Sequence, residues 1–381
     1  MNKFSTKEYY NLLCGRHEAA AKVLSVPDYA FNPLNHSGEL YEPIVDKNWA
    51  EHNPLPLWPE GKRFAVCLTH DVDAVSGLNF RQNLRAIGRL VNTRANRSVS
   101  ESLRRIVEHK MNALRGLIGH DDNMSRFEKW LDYEEDQGVR STFFFAPEKV
   151  NLPHSSDCMY RFDQKIKFRG KATPIKELIR TMDRGGWEIG LHPSWHAHNN
   201  VEEMIFQKTQ LESVLGHQIN SVRQHFLKFD PQATPATQSL AGFKYDGTLG
   251  YNDNIGFRRG SSYPIYGFDL KQDQQLPLIH IPMIVQDGAF MPAEKGMRLD
   301  MPTTMKYMQD ILEEVKGVGG VITLSWHPHA VNRPGYWEMY KNVVALLKIE
   351  DPWFATVGEI GEWWSNNVAI DLLKFTKSIP K

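Results

Sequence analysis

Apolar and polar positions alternate in two rhythms along this chain. Short runs rich in β-branched and aromatic residues, each closed by polar or glycine residues, predict buried strands at 64–68, 140–147, 187–192, 221–226, 242–245, 278–283 and 320–326. Between them, apolar residues recur at helical spacing over 174–184, 201–215, 301–315 and 337–348. Their boundaries carry the expected punctuation, with Pro174 at one start and Gly185-Gly186 and Gly216 at two ends. Strands that alternate with helices imply parallel βαβ units, hence an α/β fold. Seven or eight such units over about 300 residues predict a barrel.

Two regions depart from this rhythm. In residues 1–60, Pro27, Pro33, Pro43, Pro54, Pro56 and Pro59 break up the chain, with Trp49 and Trp58 between them. Prolines at this density favour an extended, turn-rich path, so the segment is expected to be an arm packed by its aromatics on a main domain of residues 61–381. A helical insertion is expected at about 78–135, after the first strand. Between 78 and 119 it carries Lys or Arg at nine positions (81, 85, 89, 94, 97, 104, 105, 110 and 115) against Glu101 and Glu108. Such a run reads either as a solvated helix face or as a basic lid that meets an anionic substrate or a membrane surface as a peripheral contact.

Composition narrows the setting. The chain has 381 residues, 41% of them hydrophobic, and 45 basic against 45 acidic side chains, so no global basic field points to nucleic acid as a partner. Cys14, Cys67 and Cys158 are too few and too scattered for a disulfide framework, which favours a reducing compartment. The N-terminus lacks the apolar core of a signal peptide, and no stretch approaches the roughly 18 apolar residues of a transmembrane segment. A cytoplasmic location is the expectation.

The candidate chemistry sits at strand ends. Asp71 and Asp73, in Thr69-His70-Asp71-Val72-Asp73, close the first predicted strand, where a core has no use for two carboxylates. His192 closes another in His192-Pro193-Ser194-Trp195-His196, and His327 closes the late strand in Leu324-Ser325-Trp326-His327. In a parallel barrel the C-terminal strand ends converge on one face. Pro193 at a helix start is expected to put His192 and His196 one turn apart. Two imidazoles so placed, with a carboxylate, bind one metal ion and leave a position for water.

Over about residues 60–330 the chain resembles the polysaccharide deacetylases of carbohydrate esterase family four, in its Asp-x-Asp branch. Thr69 to Asp73 is similar to the family's first motif, Thr142-Phe143-Phe144 to the strand after it, and His192 to His196 to its His-[Ser/Thr]-x-x-His motif with Pro in place of the hydroxyl residue. Arg223 resembles the arginine of Arg-x-x-Pro-[Tyr/Phe], with Phe226-Leu227 in place of Pro-Tyr, and Leu324 to His327 resembles the closing Leu-x-x-His. The resemblance implies a distorted (β/α) barrel of about seven strands and metal-assisted removal of an N-acetyl group from an amino sugar.

By the same resemblance Asp73, His192 and His196 would bind a divalent metal, zinc first. Asp71 would be the general base, held by Arg223, and His327 the general acid, with Asp246 or Asp253 as its acidic partner. The Leu227 backbone N–H would complete the oxyanion site. His70, His198, His225 and His329 read as ordinary structural histidines, and Trp195, Trp326 and Tyr336 as sugar-stacking or core aromatics. An N-acetylated carbohydrate is therefore the expected substrate. The alternatives are a cyclic amide or imide hydrolase resembling allantoinase-type enzymes, favoured by the Asp-x-Asp spacing, and a glycan-binding barrel without turnover.

Overall fold

The computed structural model describes residues 5–21, 40–76, 124–158, 160–290 and 296–368, with isolated helical positions between 87 and 114. The basic lid expected around Arg81, Arg85 and Arg89 lies outside the described residues.

Among the described residues twelve strands follow in chain order: β1 (Ala65–Val72), β2 (Thr142–Phe145), β3 (Lys165–Phe168), β4 (Lys171–Pro174), β5 (Glu188–Leu191), β6 (Ser221–Val222), β7 (Tyr245–Asp246), β8 (Ile265–Asp269), β9 (Gln274–His280), β10 (Val285–Gln286), β11 (Val321–Trp326) and β12 (Trp353–Phe354). Ten of them form one sheet in the order β10-β11-β1-β2-β5-β6-β7-β9-β8, with β12 also paired to β1, and β3–β4 is a separate hairpin. Every pairing in the large sheet is parallel except β8–β9. The α/β expectation therefore holds, although the end strands β10 and β8 do not pair with each other, so the described residues form no closed barrel.

Period-two alternation explains how the sheet is covered. Phe64, Val66, Leu68, Phe143 and Phe145 point into one apolar cluster, whereas Ala65, Cys67 and Phe144 point into a second. The first cluster takes in helices Ile175–Arg184, Val201–Leu215, Met301–Val318 and Tyr336–Ile349. The longest of these begins at Asp300, whose side chain accepts from the Thr303 N–H, and stops at Gly319, whose φ of +72° favours glycine.

The second face receives the N-terminal segments and the C-terminal helix Val357–Asn367. Tyr9, Leu12, Trp49 and Trp58 pack there with Trp364. The Trp58 indole N–H donates to the Gly319 carbonyl at 2.9 Å, and buried Glu18 pairs with Arg258 and Arg259. Gly361 lies so close to the Tyr245 ring that an added Cβ would clash with it. No helix among the described residues is long and apolar enough to cross a membrane.

Candidate metal centre

All eight residues of β1 are buried, flanked by β11 and β2, and the strand delivers Asp71 within its last turn of pleat and Asp73 just beyond. Because the neighbouring strands are parallel, their C-terminal ends lie on the same side. His192 follows β5, Arg223 and His225 follow β6, Asp287 follows β10, and His327 follows β11. The chain thus brings these side chains together from five strand ends.

Asp73 is the hub. Its Oδ1 lies 3.3 Å from His192 Nε2 and 3.9 Å from His225 Nε2, and its Oδ2 lies 3.7 Å from His327 Nε2. Asp73, His192 and His225 present ligand atoms all within 4.8 Å of one another. The His192 Nδ1–H donates to the Arg223 carbonyl at 2.7 Å, which turns Nε2 toward the Asp73 carboxylate. Two imidazole nitrogens and a carboxylate so close to one another are a donor set that fits a divalent ion, with one ring already oriented by a backbone carbonyl.

His196 does not join this group. Pro193 restricts the residue before it to extended backbone, so His192 stays on the strand rather than opening a helix. The helical turn begins two residues later, as a 3₁₀ segment at Trp195–Asn199, and the expected one-turn stacking of His192 and His196 is lost. His196 instead faces the His154 ring edge-on, with centroids 5.5 Å apart. His225, expected to be structural, takes the third position. The signal that could have found it is its spacing: Arg223 and His225 stand two apart past a strand, as Asp71 and Asp73 do, and such residues share a side.

Asp71 is buried beside Arg223, whose Nη1 donates to Asp71 Oδ1 at 2.9 Å and to Thr69 Oγ1 at 2.5 Å. The Arg223 Nε–H donates to the Gly247 carbonyl at 2.8 Å, and its guanidinium lies 4.6 Å from the Phe144 ring centroid. An added Cβ on Gly247 would come within 2.9 Å of Arg223 Nη2, so the arginine needs that glycine. Burial pushes the Asp71 carboxyl up, but Arg223, His192 and His327 outweigh it and leave the pKa below its ordinary value. For Asp73 burial also acts upward, and the hydrogen bond from His192 with the charges of His327 and His225 brings it well below the usual range.

The acidic partner of His327 is Asp287, not Asp246 or Asp253. Asp287 Oδ1 lies 2.7 Å from His327 Nδ1, and Oδ2 accepts the His327 backbone N–H at 2.8 Å and the Tyr336 hydroxyl. Asp246 is committed elsewhere, to His280 at 2.8 Å, Gln238 and Thr248. A two-residue strand, β10, precedes Asp287, too short to register as a hydrophobic pattern. Burial alone would depress the His327 pKa, yet Asp287, Asp73 and Asp71 together raise it to about 10. Beside the dyad a cleft of about 140 Å³ is lined by Asp73, Asp287, His327, His329, Arg333 and Tyr336.

Other expectations fare unevenly. The Leu227 N–H donates to the Gln224 carbonyl at 2.9 Å and is not directed at a substrate. His70 is buried between Glu134 and the Trp326 carbonyl, and His198 bonds the Trp195 carbonyl, as structural histidines do. His329 lines the cleft with a buried Nδ1 that has no hydrogen-bond partner. Trp326 and Tyr336 are core residues. The Trp195 ring is stacked by His154 at 4.7 Å, with the Lys228 ammonium 3.7 Å from its centroid. Phe226, next to His225 and 44% exposed, is the open aromatic at this rim.

No protein-family model and no curated protein matches the chain. Solved structures do. A Mycobacterium smegmatis protein, provisionally assigned as a polysaccharide deacetylase, superposes with a TM-score of 0.52 at 20% identity, over 86% of this chain and 96% of its own. An allantoinase gives a TM-score of 0.54 at 16% identity, covering 84% and 97%. A probable polysaccharide deacetylase from Pseudomonas aeruginosa PAO1 gives 0.52 at 17%, covering 84% and 97%. The chain has the fold shared by these polysaccharide deacetylases and the allantoinase.

Proposed function

We propose that this chain is a metal-dependent hydrolase of amide bonds that removes N-acetyl groups from an amino sugar. The observation that carries the reading is the convergence on Asp73 of two imidazoles that could hold a cation, with an ion-paired carboxylate and a carboxylate-backed imidazole beside them. Asp73, His192 and His225 would hold the ion, with zinc the first candidate for a set of two nitrogens and one oxygen. When bound there, it would supply Lewis-acid polarisation of the acyl oxygen and a lowered water pKa.

The remaining residues supply proton transfers. Asp71, kept ionised by Arg223, takes a proton from the attacking water. His327, kept protonated by Asp287, delivers a proton to the departing nitrogen. The two groups thereby divide base and acid roles by environment, one pKa lowered and the other raised. Exposed Phe226 offers an apolar face for a sugar ring at the rim.

Ring opening of a cyclic amide is the second reading, favoured by the allantoinase among the structural neighbours. Both reactions cleave a C–N amide bond. Zinc-loaded protein should release acetate from N-acetylhexosamine oligomers and leave hydantoin-type rings intact. Ring opening without acetate release would transfer the assignment to the second reading, and neither product would refute the hydrolase.

A further inference from the structure

The loop after β2 carries Cys158 to the same carboxylate. Its Sγ lies 3.6 Å from Asp73 Oδ1 and 3.5 Å from His225 Nε2, and those two atoms are 3.9 Å apart. Ligands of a tetrahedral zinc centre, with bonds of about 2.0–2.3 Å, stand roughly 3.2–3.8 Å from one another. The Asp73–His225–Cys158 triangle thus has close to the edge lengths of one face of such a centre. His192 Nε2, at 3.3 Å from the same Oδ1, supplies a further edge. The His225 Nδ1 is buried without a hydrogen-bond partner among the described residues, so no hydrogen bond on that side fixes the ring whose Nε2 faces the sulfur.

We propose that Cys158 is a further protein donor to the ion, on the side of Asp73 and His225. The proposal rests on the reading that Asp73, His192 and His225 hold a metal. Coordination exchanges the thiol S–H bond for a sulfur–metal bond, and the proton leaves to solvent. One consequence follows from sulfur chemistry. A thiolate favours zinc, cobalt or iron over magnesium, calcium or manganese, so the centre discriminates against hard cations.

Cobalt(II) makes the sulfur visible. Metal-free protein titrated with cobalt should bind one equivalent and show a thiolate-to-cobalt charge-transfer band in the near ultraviolet. Cys158→Ser should keep the equivalent and its visible bands but lose the charge-transfer band. Zinc should also slow iodoacetamide alkylation of Cys158, followed by peptide mass spectrometry, by about tenfold or more. Bound cobalt without the band, a band that survives in Cys158→Ser, or alkylation unaffected by zinc would each overturn the proposal and leave the Asp73–His192–His225 centre standing. Failure to bind cobalt, or binding undiminished in His192→Ala and His225→Ala, would overturn the centre itself.

Discussion

His327 Nδ1 lies 2.7 Å from Asp287 Oδ1, and the other oxygen of the same carboxylate accepts the His327 backbone N–H and the Tyr336 hydroxyl. The ring is therefore fixed in orientation and in charge by one buried acid. Asp287 falls to about 2 in turn, because burial, which raises it, is outweighed by His327 and the hydroxyl of Tyr336.

Removing that acid has a readable consequence. In metal-free protein the His327 imidazole should titrate near 10, and Asp287→Asn should move it down toward the ordinary value, followed by NMR of the ring. The sign for stability follows from the raised pKa. The stabilisation from charged His327 is complete below its unfolded value of about 6.5 and is lost as pH rises through about 10. Turnover in Asp287→Asn should fall by about 10²-fold or more, the scale of general acid catalysis. An unshifted titration would remove Asp287 as the cause.

Arg223 is fully buried and holds a buried carboxylate. Arg223→Met leaves Asp71 charged without a partner, which should cost about 3–5 kcal/mol in chemical denaturation. Arg223→Met combined with Asp71→Asn should cost clearly less than the two single changes added together, since the two groups share one interaction. Strict additivity would mean that the pair is energetically independent.

The two candidate third ligands can be separated directly. His225→Ala should weaken zinc binding by at least about 100-fold in calorimetry, whereas His196→Ala should leave it within a few-fold. The opposite ranking would restore the His-x-x-x-His reading and displace the one built on His225.

What the sequence made legible here were polar residues at the ends of predicted strands. Asp71, Asp73, His192, Arg223 and His327 lie at or just past the C-terminal ends of parallel strands packed in one sheet. His225 and Asp287 escaped for different reasons. The first shares the two-residue spacing with Arg223 but sits on a short turn in which Phe226 and Leu227 adopt φ of 57° and 51°. The second follows β10, which lies outside every run that the hydrophobic pattern marks as a strand. The His196 expectation failed for a local reason, since a proline that suits a helix start also holds the preceding residue out of the helix. The open edge of the barrel-like sheet, between β10 and β8, was not legible either, since no hydrophobic run marks which strands stay unpaired.

The turn at Phe226 yields the last prediction. Two successive non-glycine residues at positive φ are costly, about 1–3 kcal/mol each, and such strain persists where the surroundings impose it. Here the turn leaves the Phe226 ring 44% exposed, 4.2 Å from the His225 ring, with the Phe226 carbonyl held by the Asn252 amide at 2.7 Å. A residue kept for backbone reasons alone would be glycine. Phe226→Gly should therefore relax the turn and leave thermal stability equal or higher, because the exposed ring contributes little burial. If the ring instead receives a sugar face, the same variant should raise KM for N-acetylated oligosaccharides by about 5- to 30-fold, the worth of roughly 1–2 kcal/mol of aromatic contact, while kcat changes far less. Stability and KM would then move in opposite practical senses, a split that a purely structural phenylalanine does not produce. Loss of stability with unchanged KM would assign Phe226 to packing.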